Sequence, residues 1–346
     1  MAKNSGAIRG PTIIDVAAQA GVSPMTVSRV INDRPGVGPE TRQAVNEAIR
    51  ALGYTPNVAA RSLVTSTELR IGVVYSNPSA AFMSDFLTGV FEEASIRGAR
   101  LILLKGGEGG RPPGAADLKA LVASGIRGVI LAPPLGESPV VLRALSKAGL
   151  PMAAVGAYGV EDAISVRIDD RRAAYEMTRE LIGLGHSHLG FILGNPDQAA
   201  SGQRLAGFQD AVREAPGVTT VVARGDFSFA SGLAAAEQLL EATPPPTAIF
   251  ASNDDMAAAA VSVAHRRHLD VPRELTVVGF DDTPAAVTLW PPLTTVHQPV
   301  RKLAAEALGL LTAEIARTAQ DRQAPREHVL EHEIVARQST APPSLA

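Results

Sequence analysis

The chain has 346 residues, 46% of them hydrophobic and 19% charged, with a net charge of −3 and no cysteine. That length exceeds one ordinary core and predicts two or three domains. The lack of cysteine excludes disulfides, thiolate chemistry and Cys-ligated metal, no signal-peptide segment or membrane-spanning apolar run is evident, and a cytoplasmic protein is expected.

Charge is uneven along the chain. Residues 1–70 hold eight Lys/Arg and five Asp/Glu, a net +3, so the remainder carries −6. A basic head on an acidic body fits a nucleic-acid-binding head.

The first predicted elements lie between Thr12 and Asn32, TIIDVAAQAGVSPMTVSRVIN. Thr12 caps a short helix, with Asp15 completing a variant capping box. Ile13, Val16, Ala17 and Ala20 share one face. Gly21 supplies the turn, Ser23 caps a second helix, and Pro24 takes its first position, where a missing N–H costs nothing. Val27, Val30 and Ile31 turn inward, while Met25, Thr26, Ser28 and Arg29 face elsewhere. This pattern is what a helix-turn-helix needs to put its second helix into a major groove. A third helix is expected over Pro39 to Leu52, with Val45, Ala48, Ile49 and Leu52 buried and Gly53 ending it. Asn57 can cap a further segment, VAARSLV, too short to be stable alone. Residues 65–67 read as a polar linker.

From Leu69 onward apolar strand-like runs alternate with helical segments. The runs are 71–75, 100–104, 128–132, 151–156, 188–194, 219–224, 247–252 and 275–282, with helices over 86–98, 171–185 and 202–213 among those between them. Such alternation implies parallel sheets covered on both faces. Two lobes are expected, changing over near 157–165, with a cleft where ligands gather at the strand carboxyl ends. Residues 339–346 are expected to form a disordered tail.

The ordered set of motifs resembles the LacI/GalR family of bacterial transcription regulators over nearly the whole length. The head string above is followed by TRQAVNEAIRALGYTPN and AARSL. The body carries LGHSHLGFILG, RLAGF, FASNDDMA, LTVVGFDDTP and PPLTTVHQP. The resemblance implies an all-α helix-turn-helix head (1–56), a hinge helix and linker (57–68), and an α/β two-lobed, periplasmic-binding-protein-like body (69–338). It also implies a homodimer on pseudo-palindromic double-stranded operator DNA, and a small-molecule effector that is a saccharide.

On that resemblance Pro24, Met25 and Arg29 fall where the recognition helix reads bases, and Thr26 and Ser28 meet backbone or nearby bases. Thr12 and Asn32, at the ends of the unit, are also expected at DNA. Pro24 and Met25 offer only apolar contact, for instance to a thymine methyl. Arg29 alone can make a bidentate guanine contact, with a phosphate contact as the alternative. Leu63 matches a wedge leucine that enters the minor groove, and Asn57 and Ala60 match positions that cap and pack paired hinge helices.

The same resemblance places Phe82, Asp169, Arg204, Phe227, Asn253 and Asp281 around the effector. Carboxylates and a guanidinium suit paired hydroxyls, and an aromatic face suits the apolar side of a sugar. Gln198 to Gln203 offers neutral groups, which favours a neutral ligand over a phosphorylated one.

No cofactor and no metal is expected. The carboxylate pairs Asp169-Asp170, Asp254-Asp255 and Asp281-Asp282 raise a glycosidase as the alternative, but adjacent side chains on a strand point to opposite faces. The histidines at 186, 188, 265 and 268 lack the company of a zinc motif. A transport binding protein would have no use for the head.

Overall fold

The computed structural model describes residues 11–31, 36–52, 68–107, 110–317 and 327–344. The chain divides into two units, residues 1–68 and 69–346.

In the first unit α1 (Ile13–Ala20), α2 (Pro24–Ile31) and α3 (Pro39–Leu52) pack around Val16, Ala17, Val27, Val30, Val45 and Ala48. Helices of this length are marginal in isolation, so this shared apolar stripe holds them. Thr12 and Asp15 form a reciprocal cap. The Asp15 carboxylate accepts from the Thr12 N–H at 2.7 Å, and the Thr12 hydroxyl accepts from the Asp15 N–H at 3.4 Å. Gly21 takes the left-handed φ of 67° that ends α1, a conformation that costs glycine little. The Ser23 hydroxyl accepts from the Thr26 N–H at 3.1 Å and starts α2. Asn32, Asn57, Ala60 and Leu63 lie outside the described residues.

The second unit holds two six-stranded sheets of matching order. The first contains β1 (Arg70–Tyr75), β2 (Arg100–Lys105), β3 (Gly128–Leu131), β4 (Met152–Val155), β5 (Ile164–Ile168) and β11 (Glu327–Leu330). They lie in the order β2-β1-β3-β4-β5-β11, all parallel. The second contains β6 (His188–Leu193), β7 (Thr219–Arg224), β8 (Ala248–Ala251), β9 (Thr276–Asp281), β10 (Thr294–His297) and β12 (Glu333–Val335). Its order is β7-β6-β8-β9-β10-β12, with only β12 antiparallel. Every residue of β3, β4, β8 and β9 is buried, as expected of strands covered on both faces.

The helices of this unit are α4 (Ala80–Arg97), α5 (Ala115–Ala123), α6 (Pro139–Lys147), α7 (Asp170–Gly183), α8 (Ala199–Arg213), α9 (Phe229–Leu240), α10 (Asp254–Arg266), α11 (Pro284–Thr288) and α12 (Val300–Ala316). The chain passes between the lobes after β5, after β10 and between β11 and β12. The change expected over 157–165 therefore comes later, because that stretch leads into β5 of the first sheet. Helices α7 and α8 meet backbone to backbone at Gly207, where an added Cβ would lie 2.0 Å from the Arg171 carbonyl oxygen.

The expected disordered tail also requires correction. The Ser339 hydroxyl is buried, donates to the Val277 carbonyl at 2.6 Å and accepts from the Thr294 N–H at 2.8 Å. The Ala341 carbonyl accepts from the Thr276 hydroxyl at 3.1 Å and lies 2.9 Å from His186 Nε2. Residues 339–344 are thus tied along the second lobe, and small polar composition misled because these residues act as hydrogen-bonding partners to the sheet.

Candidate ligand cleft and nucleic-acid interface

Both sheets aim their strand carboxyl ends at one cleft. Asn77 and Ser79 follow β1, Pro133 follows β3, Gly156 follows β4, Gln198 follows β6, Phe227 follows β7, Asn253 follows β8 and Asp281 ends β9, and all line it. This is where open α/β sheets collect ligands.

Arg204 is the organising side chain. It is only 5% exposed. Its Nε donates to Asp170 Oδ1 at 2.8 Å, its Nη1 donates to the Ser252 carbonyl at 2.5 Å, and Asp281 Oδ1 lies 3.8 Å from Nη1. The guanidinium carbon sits 3.5 Å from the centroid of Phe280 and 5.9 Å from that of Phe227. A planar cation on an aromatic face is a favourable way to bury charge. The Tyr158 hydroxyl donates to the other Asp170 oxygen at 2.7 Å. Burial and the Asp170 carboxylate push the Tyr158 phenol up, so it stays a donor. Burial likewise pushes Asp281 well above the usual carboxylate range, partly offset by Arg204.

Backbone strain concentrates here. Phe227 holds φ at 73° and Asp281 at 106°, a conformation that costs a non-glycine residue on the order of 1–3 kcal/mol. The Phe227 ring covers Gly194, where a Cβ would come within 2.1 Å of it. Asn253 braces this arrangement. Its Nδ2 donates to the Phe227 carbonyl at 2.9 Å while its Oδ1 accepts from the Met256 N–H at 2.9 Å and caps α10. The free volume between these groups is about 30 Å³, room for about one water. Small-molecule pockets usually span about 300–1,000 Å³, so a sugar requires the lobes to part or side chains to move.

In the first unit, α2 presents Pro24, Met25 and Arg29 outward, with Met25 67% exposed. Thr26 and Ser28 are half-buried, and the Thr26 hydroxyl lies 3.0 Å from that of Ser23.

Residues 12–57 match the family described as bacterial regulatory proteins, lacI family, and residues 178–340 match the periplasmic binding protein-like domain. The HTH-type transcriptional regulator CelR of Thermobifida fusca is 36% identical over 342 residues, covering 96% of this chain and 98% of that one. The chain belongs to the lacI family. Among solved structures, a transcriptional regulator CelR–cellobiose complex is 32% identical with a TM-score of 0.70, covering 95% of this chain and 99% of that one. The lac repressor dimer bound to operator and the anti-inducer ONPF is 27% identical with a TM-score of 0.77, covering 96% and 100%.

Within this lacI-family frame the structure brings five of the six expected cleft residues together: Phe82, Arg204, Phe227, Asn253 and Asp281. Asp169 is the exception. Its Oδ1 accepts from the Arg172 N–H at 3.0 Å and caps α7, while its neighbour Asp170 faces the cleft. The cap geometry turns the first side chain along the helix end and leaves the next to point inward. Sequence reasoning also missed Tyr158 and Gln298. Gln298 Nε2 donates to Asp281 Oδ1 at 3.2 Å from the second crossing between lobes, a stretch with no periodic signal. The histidines at 186 and 188 are engaged with Thr247 and Thr219, and burial lowers the His186 pKa.

Proposed function

We propose that this lacI-family transcriptional regulator binds a two-fold operator as a homodimer, as a repressor, and that a neutral saccharide in the cleft controls its affinity. The observation that carries this reading is the buried Arg204–Asp170–Tyr158 chain, flanked by Asp281, Gln298 and the rings of Phe82 and Phe227. Such a set offers fixed donors and acceptors to hydroxyls and apolar faces to a sugar ring. The cellobiose carried by the CelR neighbour, whose chain aligns over nearly the full length, supports the ligand class.

Met25 and Arg29 read the operator from the major groove, with Pro24, Thr26, Ser28, Thr12 and Asn32 beside them. Asn57, Ala60 and Leu63 form the hinge, which folds and wedges the minor groove only on the correct site. Sugar binding changes how the lobes meet and shifts the equilibrium away from the operator-bound state by its differential affinity for the two states. Release of DNA on binding is the sign expected for a catabolic sugar.

A binding role is favoured over hydrolysis because the paired carboxylates diverge. Asp170 serves Arg204 and Asp169 caps a helix. Asp254 is sealed among Thr283 and Thr295, and Asp282 pairs with Arg337.

Thermal denaturation with cellobiose and other neutral saccharides tests the reading. A ligand at about 100 times its Kd adds roughly 2.7 kcal/mol to stability. A midpoint that no saccharide moves sinks it.

A further inference from the structure

Helix α8 begins at the edge of the cleft, and its 15 residues present the start of a helix dipole there. Its cap residue, Gln198, makes no side-chain cap bond. An uncapped helix start lined by N–H groups is a natural anion site. Here it is already filled from within the protein, across the lobes. Glu137 lies in a short turn after β3 of the first lobe, and its Oε2 accepts from the Ala199 N–H at 2.9 Å. Its Oε1 accepts from the Tyr158 N–H, also at 2.9 Å, which fixes the carboxylate from its own side.

We propose that Glu137 is an interlobe latch and a specificity residue: it occupies the start of α8 and so restricts the effector to uncharged molecules. The proposal rests on reading the cleft as the effector site. Among the residues lining the cleft Arg204 is the one cation, and its guanidinium is already paired with Asp170 and bonded to the Ser252 carbonyl. An anionic ligand reaching the start of α8 would meet the Glu137 carboxylate there and, deeper in the cleft, a cation whose charge Asp170 already balances. Among the described residues two buried side-chain groups lack a partner, both neutral and both at this helix start: Gln198 Nε2 and Ser201 Oγ, on residues 6% and 1% exposed. They suit a hydroxyl or ring oxygen. The same carboxylate contributes to closure, because Ala199 and Tyr158 belong to different lobes and share it only when the lobes meet.

Two sugar-free readouts on the full-length protein test this with Glu137→Ala and Glu137→Gln. The first is hydrogen exchange at the Ala199 amide. It should speed up about tenfold or more in Glu137→Ala, the scale set by losing a charge-assisted bond. Glu137→Gln, which keeps one acceptor oxygen, should fall between. The second is thermal stabilisation by millimolar inorganic phosphate, read as the difference between proteins because phosphate stabilises folded chains generally. Glu137→Ala should gain clearly more than wild type. A purely structural role would not create an anion site. Unchanged exchange at Ala199 overturns the latch, and phosphate that stabilises both proteins equally, or neither, overturns the exclusion of anions. The effector reading stands or falls separately, on whether Arg204→Ala keeps a ligand response.

Discussion

Arg204 and Asp170 meet at 2.8 Å with both side chains almost wholly buried, and each comes from one of two helices packed backbone to backbone. The pair is at once the polar centre of the cleft and a joint between α7 and α8. Truncating one partner leaves the other buried and uncompensated, a loss of about 3–5 kcal/mol. Arg204→Ala is therefore expected to lower the midpoint of chemical denaturation. Sugar-induced stabilisation should disappear, while operator affinity without sugar is retained. Arg204→Lys should not rescue the response, because lysine cannot reproduce the planar seat on Phe280.

Two glycines of one helix are expected to behave oppositely. Gly207→Ala places a methyl 2.0 Å from the Arg171 carbonyl oxygen. The helices must separate, at about 1–3 kcal/mol or more, and Asp170 moves away from Arg204. Gly202→Ala meets nothing within 4 Å and should gain up to about 1 kcal/mol from helix propensity. Urea titration of the two variants measures both.

Asp254 gives a pH signature. It is buried, accepts from the Thr295 hydroxyl at 2.6 Å and the Thr283 N–H at 2.7 Å, and burial pushes its pKa to about 6 from an ordinary 3.8. The folded chain therefore holds this proton more tightly than the unfolded one. Its contribution is fully present below about pH 4 and lost as pH rises through about 6, on the order of 3 kcal/mol. In Asp254→Asn this component should vanish, so the stability difference between wild type and variant should change over that window. A constant difference from pH 4 to 7 would contradict the assignment.

DNA recognition should separate into two kinds of loss. Arg29→Ala should cost about 1–3 kcal/mol of discrimination at one base position if the contact is to guanine, read by competition with single-base operator variants. If Leu63 is the proposed minor-groove wedge, Leu63→Ala should weaken specific binding far more than non-specific binding, because a wedge acts only where the duplex is kinked. Equal loss on both kinds of DNA would count against it.

Much of this arrangement is legible in the sequence, for physical reasons. The head helices carry a 3.6-residue apolar period bounded by Thr12, Gly21, Ser23 and Pro24, so period and caps agree. Strands such as Thr219–Arg224 announce themselves as β-branched runs between turns. The strands β10, β11 and β12 do not, since they are three or four residues long and include His297, Glu327, His328 and Glu333. The cleft was readable where a side chain sits at a strand end, as with Asn253 and Asp281. It was misread by one residue at Asp169, where capping chemistry and cleft chemistry call for the same residue type. Glu137 gave no signal because its role arises only when a turn of one lobe meets a helix start of the other, and Tyr158 gave none because it reaches Asp170 from an irregular stretch between strands.

The central claim is that the cleft controls the operator. Its most direct measurement is fluorescence anisotropy of a labelled operator, selected from genomic fragments by the purified protein and titrated with and without saturating neutral saccharide, cellobiose first. The account predicts a shift of at least about tenfold in half-saturation for wild type, within the usual 1–3 kcal/mol of allosteric coupling, and none for Arg204→Ala. Superimposable wild-type curves across the saccharide panel, or an equal shift in Arg204→Ala, would contradict it.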